Sequence, residues 1–338
     1  MPKPSLATLP RDGFVGAIGN TPLIALPKLS AAIGRTILGK AEFLNPGGSV
    51  KDRAARGIIE DFEARGLLAP GGVVVEGTAG NTGIGLALVG NARGYRTIIV
   101  MPDDQAAEKY ALLRAFGADL RVVAAAPYTN DANYYHEARR VAESIPGAVW
   151  ANQFENTANR DAHEATTGPE IIEQTGGTLA AFVAAAGTGG TIAGVGRALK
   201  ARDPAIRVVL ADPYGSALYS FVKTGALCVE GDSNAEGIGI KRIVANFMDA
   251  PVDDAVRVDD RSLTEMAHWL VREEGLFVGG SAALNVAAAA RYARTLPAGS
   301  CVVTVLCDGG DRYRSRLYDA EWLRENDVVP TATDLSFL

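Results

Sequence analysis

The run Val73-Val74-Val75-Glu76-Gly77-Thr78-Ala79-Gly80-Asn81-Thr82-Gly83-Ile84-Gly85 constrains this chain more than any other. A β-branched apolar triplet bounded by glycine reads as a buried strand, and it passes through a loop of small polar residues into a helix of small residues. A strand handed directly to a helix is half of a βαβ unit. Apolar runs at 36–41, 97–100, 120–123, 182–184, 207–210 and 302–306 repeat the pattern, with helical spacing over 54–68, 83–93, 108–116, 263–274 and 282–293 between them. Gly94 and Gly117 follow helical runs and precede strands, where a left-handed cap costs glycine least. The expectation is an α/β protein of two doubly wound, mainly parallel-sheet domains with a cleft between them. The polar connection at 128–133 and a division near 150–156 suggest a smaller domain over 46–155, carrying the asparagine loop, and a larger one built from 1–45 and 156–338.

Composition narrows the partners. The chain has 338 residues, 48% of them hydrophobic and 21% charged, enough to bury two sizeable cores. A net charge of -6 with no dense basic block argues against nucleic acid or an anionic membrane surface. No apolar run approaches the roughly 18 residues a membrane span needs, and Met1-Pro2-Lys3-Pro4-Ser5 lacks an apolar leader segment, so a cytoplasmic protein with a small-molecule ligand is expected. Cys228, Cys301 and Cys307 form no CxxC pair and have no histidine at ligand spacing, which predicts neither disulfide nor metal site. His136, His163 and His268 read as structural or surface residues. The segment after Tyr318 is too short for a regulatory domain.

Three loops carry candidate chemistry. Lys51 follows Asn45-Pro46-Gly47-Gly48, with Ser49 as N-cap of a helix running through Ala54, Ala55, Ile58 and Ile59. An amine in a helix's first turn, partly desolvated, has a lowered pKa, as a Schiff-base lysine requires. Taken alone, it also fits an ordinary surface lysine. Gly187-Thr188-Gly189-Gly190-Thr191 comes directly after an apolar strand and opens a helix, so its N–H groups and hydroxyls converge as a phosphate cradle does. The competing reading is a tight turn with glycines for close packing. In Thr78-Ala79-Gly80-Asn81-Thr82, hydroxyls, an amide and exposed N–H groups suit a carboxylate, while Asn81 either contacts the ligand or caps its helix.

Gly80, Gly83 and Gly85 are spaced G-x-x-G-x-G, the later loop places Ile192 where a third glycine belongs, and no Gly-Lys-Ser/Thr follows any glycine loop. Dinucleotide and P-loop fingerprints both fail. An amine on one element and a phosphate cradle on the facing one point to pyridoxal 5'-phosphate.

Gly19-Asn20-Thr21-Pro22-Leu23, 45–53, 76–83, Asn152-Gln153-Phe154-Glu155-Asn156, 163–170 and 187–191 occur in the order found in cysteine synthases. The chain resembles the cysteine synthase and cystathionine β-synthase family of fold type II (tryptophan synthase β-like) enzymes over roughly residues 15–320. The resemblance implies a homodimer with pyridoxal 5'-phosphate in the interdomain cleft. It makes Lys51 the covalent anchor and general base, gives the ring hydroxyl to Asn81 and gives the phosphate to Gly187, Thr188, Gly189, Gly190 and Thr191. Thr78, Ala79, Gly80, Thr82 and Gln153 then line the substrate carboxylate site, with Gly237 over the ring face. The implied reaction is β-replacement on an O-activated serine by sulfide or another thiol, through an aminoacrylate.

Some residues depart from the family pattern. In Cys307-Asp308-Gly309-Gly310, Gly309 is matched to the family's serine beside the pyridine nitrogen but has no hydroxyl. A water is expected to replace it, with Asp308 bonding local backbone. An inward Asp308 would instead protonate the ring and open racemisation. Ala79 and Gly280 stand where serines are common. Elimination from cysteine, racemisation and an inactive amino-acid-binding homologue therefore stay open beside the β-replacement reading.

Overall fold

The computed structural model describes residues 11–78 and 80–338. Ala79, expected at the carboxylate site, and Met1–Ser5, read as lacking a leader, lie outside them. Among the described residues ten strands occur in chain order: β1 (Leu23–Ala25), β2 (Thr36–Ala41), β3 (Val73–Gly77), β4 (Arg96–Pro102), β5 (Asp119–Val123), β6 (Ala148–Trp150), β7 (Ala181–Ala185), β8 (Arg207–Pro213), β9 (Asp254–Val258) and β10 (Cys301–Leu306). They form a four-stranded sheet ordered β5-β4-β3-β6 and a six-stranded sheet ordered β1-β2-β10-β7-β8-β9. Every pairing is parallel except β1 with β2. The α/β, doubly wound expectation holds.

Side chains alternate across each sheet with the period of a strand. Val183 and Val209 join one core with the Gly280–Ala293 helix, while Phe182, Val208 and Leu210 face the other with Ile192 and Leu199. In the smaller sheet Val73, Val75, Ile98 and Val100 point one way, and Val74 points the other way against Leu86. Strands buried on both faces read as continuous apolar runs, and each such Val or Ile adds about 1.5–3 kcal/mol.

Strand order decides where a ligand can sit. In the four-stranded sheet the chain moves outward from β3 through β4 to β5 and then returns to place β6 on the other side of β3. In the six-stranded sheet it moves from β7 through β8 to β9, and β10 then enters on the opposite flank of β7. Each reversal parts the loops beyond the carboxyl ends of two neighbouring strands, leaving a crevice there. The loop beginning at Thr78 leaves β3, Gln153 follows β6, Gly187 follows β7 and Cys307 follows β10. All four line one cleft.

Element boundaries differ from expectation in understandable places. The helix expected over 54–68 runs Lys51–Ala64, and Gly66, at φ 67°, ends it. The stretch 263–274 is an α-helix, Asp260–Trp269, continued by a π-helical turn, Leu270–Glu274. Gly94 caps its helix at φ 79° and Gly117 turns at φ 77°, as expected of both.

Candidate functional site

The cleft encloses about 420 Å³. Lys51 enters it from the first position of its helix. The backbone before it is pinned to the end of β10: Ser49 bridges Asp308, and Val50 N–H donates to the Cys307 carbonyl at 2.9 Å. Ser49 is not the N-cap that the sequence suggests. Val50 holds that place, and Ser49 Oγ accepts from Lys51 N–H at 3.2 Å. The Lys51 side chain is half-buried, and burial lowers its pKa against the opposing influence of Cys307 and Asp308.

Two residues on, Arg53 fixes the direction of this helix. Its guanidinium donates to Glu42 at 2.8 Å through both Nε and Nη2, and to Glu170 at 2.7 Å through both Nη atoms. Lys40 Nζ also donates to Glu170 at 2.7 Å, and to Gln174 at 2.9 Å. Burial alone would raise the Glu170 pKa, but Arg53 and Lys40 draw it down to about 2. This network joins the Lys51 helix to β2 and to the Gly168–Gln174 helix.

The opposite wall is the loop 187–191. Gly189 sits at φ 84°, and a Cβ on Gly187 would fall 2.2 Å from the Gly237 carbonyl, so side chains are excluded where the two loops meet. Thr188 Oγ1 accepts from Asn159 Nδ2 at 2.9 Å. The loop opens the 13-residue helix Gly190–Arg202, whose free N–H groups favour an anion.

Asn81 does not cap its helix. Its Nδ2 donates to Asp308 Oδ2 at 2.7 Å, and its Oδ1 accepts from Arg312. Tyr313 O–H donates to the same Asp308 oxygen at 2.7 Å. Asp308 is thus turned inward and fully buried, which raises its pKa, and the expectation that it bonds local backbone is corrected. A Gly-rich turn frees the backbone here, but burial behind Asn81 gives the carboxylate better donors than the turn does. Gly309, expected beside the cofactor, pairs with Val278 and has no hydroxyl to present. Cys307, Ser281 and Asn285 line that part of the wall, and burial pushes the Cys307 thiol up to about 11.

On the wall formed after β3 and β6, Thr82 Oγ1 donates to Gln153 Oε1 at 2.5 Å, and Asn152, at φ 47°, turns the chain that presents Gln153. Thr78, Gly80 and Gly237 also line the cleft. Beneath this wall Glu76 is fully buried, and neither carboxylate oxygen meets hydrogen-bond geometry with a partner. Burial pushes its pKa up to about 8, although Gln153 and the Asn152 backbone lie close enough to oppose the rise.

Sequence reasoning missed three features. Glu236 pairs with Lys109 and, at 2.7 Å, with Arg316 across the cleft mouth. His163 is buried against the 187–191 loop. Asp308 holds Asn81. None has a local spacing signal, because each pair is far apart in the chain.

A profile of the family described as "Pyridoxal-phosphate dependent enzyme" matches residues 15–308. The chain belongs to this family. A "Cysteine synthase 1" of Neurospora crassa is 52% identical to this family member over 322 residues, covering 94% of this chain and 86% of the relative. Among solved structures, "O-ureido-L-serine synthase" superposes with TM-score 0.85 at 35% identity, covering 92% of this chain and 96% of that one. An "O-acetylserine dependent cystathionine beta-synthase" from Helicobacter pylori gives 0.83 at 35% identity, covering 91% and 99%. The protein is thus a fold type II pyridoxal phosphate enzyme of the cysteine synthase and cystathionine β-synthase family, and pyridoxal 5'-phosphate is its cofactor. The cleft fits that group: it offers one amine of lowered pKa and, across from it, a glycine-lined anion cradle at a helix N-terminus. Among the described residues no helix is long and apolar enough to cross a membrane.

Proposed function

We propose that this enzyme makes cysteine or a cysteine-like amino acid by β-replacement on an O-activated serine, O-acetylserine or similar, with sulfide or another thiol. The observation that carries the reading is the Lys51 amine, its pKa lowered by burial, in one cleft with the 187–191 loop. When bound, pyridoxal phosphate supplies a conjugated electron sink that makes removal of an amino acid's Cα proton affordable.

The chain's own residues do the rest. Lys51 anchors the cofactor aldehyde, takes the Cα proton of the substrate as general base and later returns a proton to the product. Gly187, Thr188, Gly189, Gly190 and Thr191 hold the phosphate through N–H groups and hydroxyls. Asn81, its amide fixed between Asp308 and Arg312, offers its second Nδ2 hydrogen to the ring oxygen. Thr78, Ala79, Gly80, Thr82 and Gln153 bind the substrate carboxylate, and Gly237 covers the ring face. A smaller domain, 46–155, closes the asparagine loop on the substrate and excludes water from the larger one, 1–45 with 156–338. The reading includes a cytoplasmic homodimer.

The test is a purified protein mixed with O-acetylserine and sulfide. Cysteine should form, the protein should absorb in the visible, and borohydride should fix the cofactor to position 51. Lys51→Ala should abolish cysteine formation and the borohydride-fixed adduct. Pyruvate from cysteine without added thiol would move the assignment to a lyase, and a cofactor-loaded protein whose spectrum ignores every amino acid would reduce it to a binding protein.

A further inference from the structure

His163 lies on the π-helical turn His163–Thr167 that precedes the Gly168–Gln174 helix, and it is 1% exposed. A wide turn of this kind is costly and recurs at functional positions. Both ring nitrogens are used. Nδ1 is 2.8 Å from Thr167 Oγ1, and Nε2 is 3.2 Å from Thr191 Oγ1. Thr167 is fully buried, whereas Thr191 lines the cleft as the last residue of the 187–191 loop. The segment that carries His163 packs directly on the helix the loop opens: a Cβ on Gly194, one turn into that helix, would fall 2.2 Å from the Arg160 carbonyl and 2.7 Å from the Cβ of His163.

Hydrogen-bond polarity follows from the chemistry of the three groups. Burial, with Arg53 and Lys51 nearby, lowers the His163 pKa well below its usual value, so the ring is neutral and has one donor and one acceptor nitrogen. If Thr191 donated to Nε2, its single proton would be spent on the ring and its oxygen would turn lone pairs toward an anion. The opposite polarity leaves no group frustrated. Thr167 O–H donates to Nδ1, Nε2–H donates to Thr191 Oγ1, and the Thr191 proton is free for the cleft. Each bond in such a chain polarises the next.

We propose that His163 is a positioning residue which, as the Nε2–H tautomer, commits the Thr191 hydroxyl proton to the cofactor phosphate through the relay Thr167, His163, Thr191. This rests on the reading that the 187–191 loop holds the phosphate.

The test compares pyridoxal phosphate with pyridoxal, which lacks the phosphate, by titrating each into the full-length protein freed of cofactor. His163→Leu should weaken pyridoxal phosphate roughly 10- to 100-fold, the range for a hydrogen bond to a charged group, and leave pyridoxal unchanged. His163→Gln, whose Nε2–H can donate in place of the ring, should recover most of the loss. The double variant with Thr191→Val should bind no more weakly than the worse single variant. Parallel losses for both aldehydes, or losses that add in the double variant, would overturn the relay and leave His163 a packing residue. Nitrogen-15 shifts of His163 in the unmutated protein read the tautomer without any substitution, and a proton on Nδ1 overturns the proposal. Equal affinity of the unmutated protein for the two aldehydes would remove the phosphate-loop reading itself, and the relay with it.

Discussion

Replacing Glu76 by glutamine should change how stability depends on pH. Glu76 is fully buried at the end of β3, its carboxyl is pushed by burial up to about 8 from 4.5, and the folded protein therefore keeps a proton that the unfolded chain gives up. Across this window the native state binds more protons, so unfolding free energy falls as pH rises from about 4.5 and levels off above the folded value near 8. At 1.36 kcal/mol per pKa unit, the loss between pH 5 and pH 8 works out at about 3–4 kcal/mol for this one group. Glutamine has nearly the same shape and cannot ionise, so the wild type should lose that much more stability than Glu76→Gln over the same range. Urea unfolding of both proteins at pH 5, 6, 7 and 8 measures the difference directly. Asp52 and Asp212, both pushed up to about 7 by burial, tilt the two curves equally and cancel in the comparison. Parallel curves would mean that Glu76 is ionised in the fold and finds donors that the structure does not give it.

Two other perturbations separate the supports of the site. Arg53→Met leaves Glu42 and Glu170 facing each other without their shared cation, and it should cost about 3–5 kcal/mol in urea unfolding and reduce cofactor loading because the Lys51 helix loses its tether. A cost under about 1 kcal/mol, the scale of an exposed pair, would show that solvent already reaches the network. Asp308→Asn keeps an acceptor oxygen for Asn81 and Tyr313 but takes the charge out of both bonds and buries an NH2 at the unpartnered Oδ1 position, so it should lower stability by about 1–3 kcal/mol and shift the visible absorption of the bound cofactor. An unchanged spectrum would detach Asp308 from the ring environment.

Much of the fold could be read in one dimension. Strands such as β3, β7 and β10 are buried on both faces, so their apolar runs stand out, and each is followed by a polar or glycine loop at its carboxyl end, where a doubly wound sheet binds ligands. The strands not foreseen, β1, β6 and β9, are short or half-polar: β1 and β6 have 3 residues each, and β9 alternates Asp254, Arg257 and apolar residues. A three-residue strand carries too little periodicity to read, and its place in a sheet is set by its neighbours.

The α/β class, the parallel sheets, the loops that open helices and a lysine in the first turn of one of them are legible along the chain, because they depend on side-chain period and on glycine, which act over a few residues. Packing in three dimensions sets which loops share a cleft, that Lys40 is fully buried and not exposed, that Asp308 turns toward Asn81, and that His163 meets Thr191. Those outcomes join residues far apart along the chain, 227 positions in the case of Asn81 and Asp308. A buried charge or ring adopts its partner only after the sheets have been ordered and stacked, since desolvation, which makes pairing obligatory, does not exist in the extended chain.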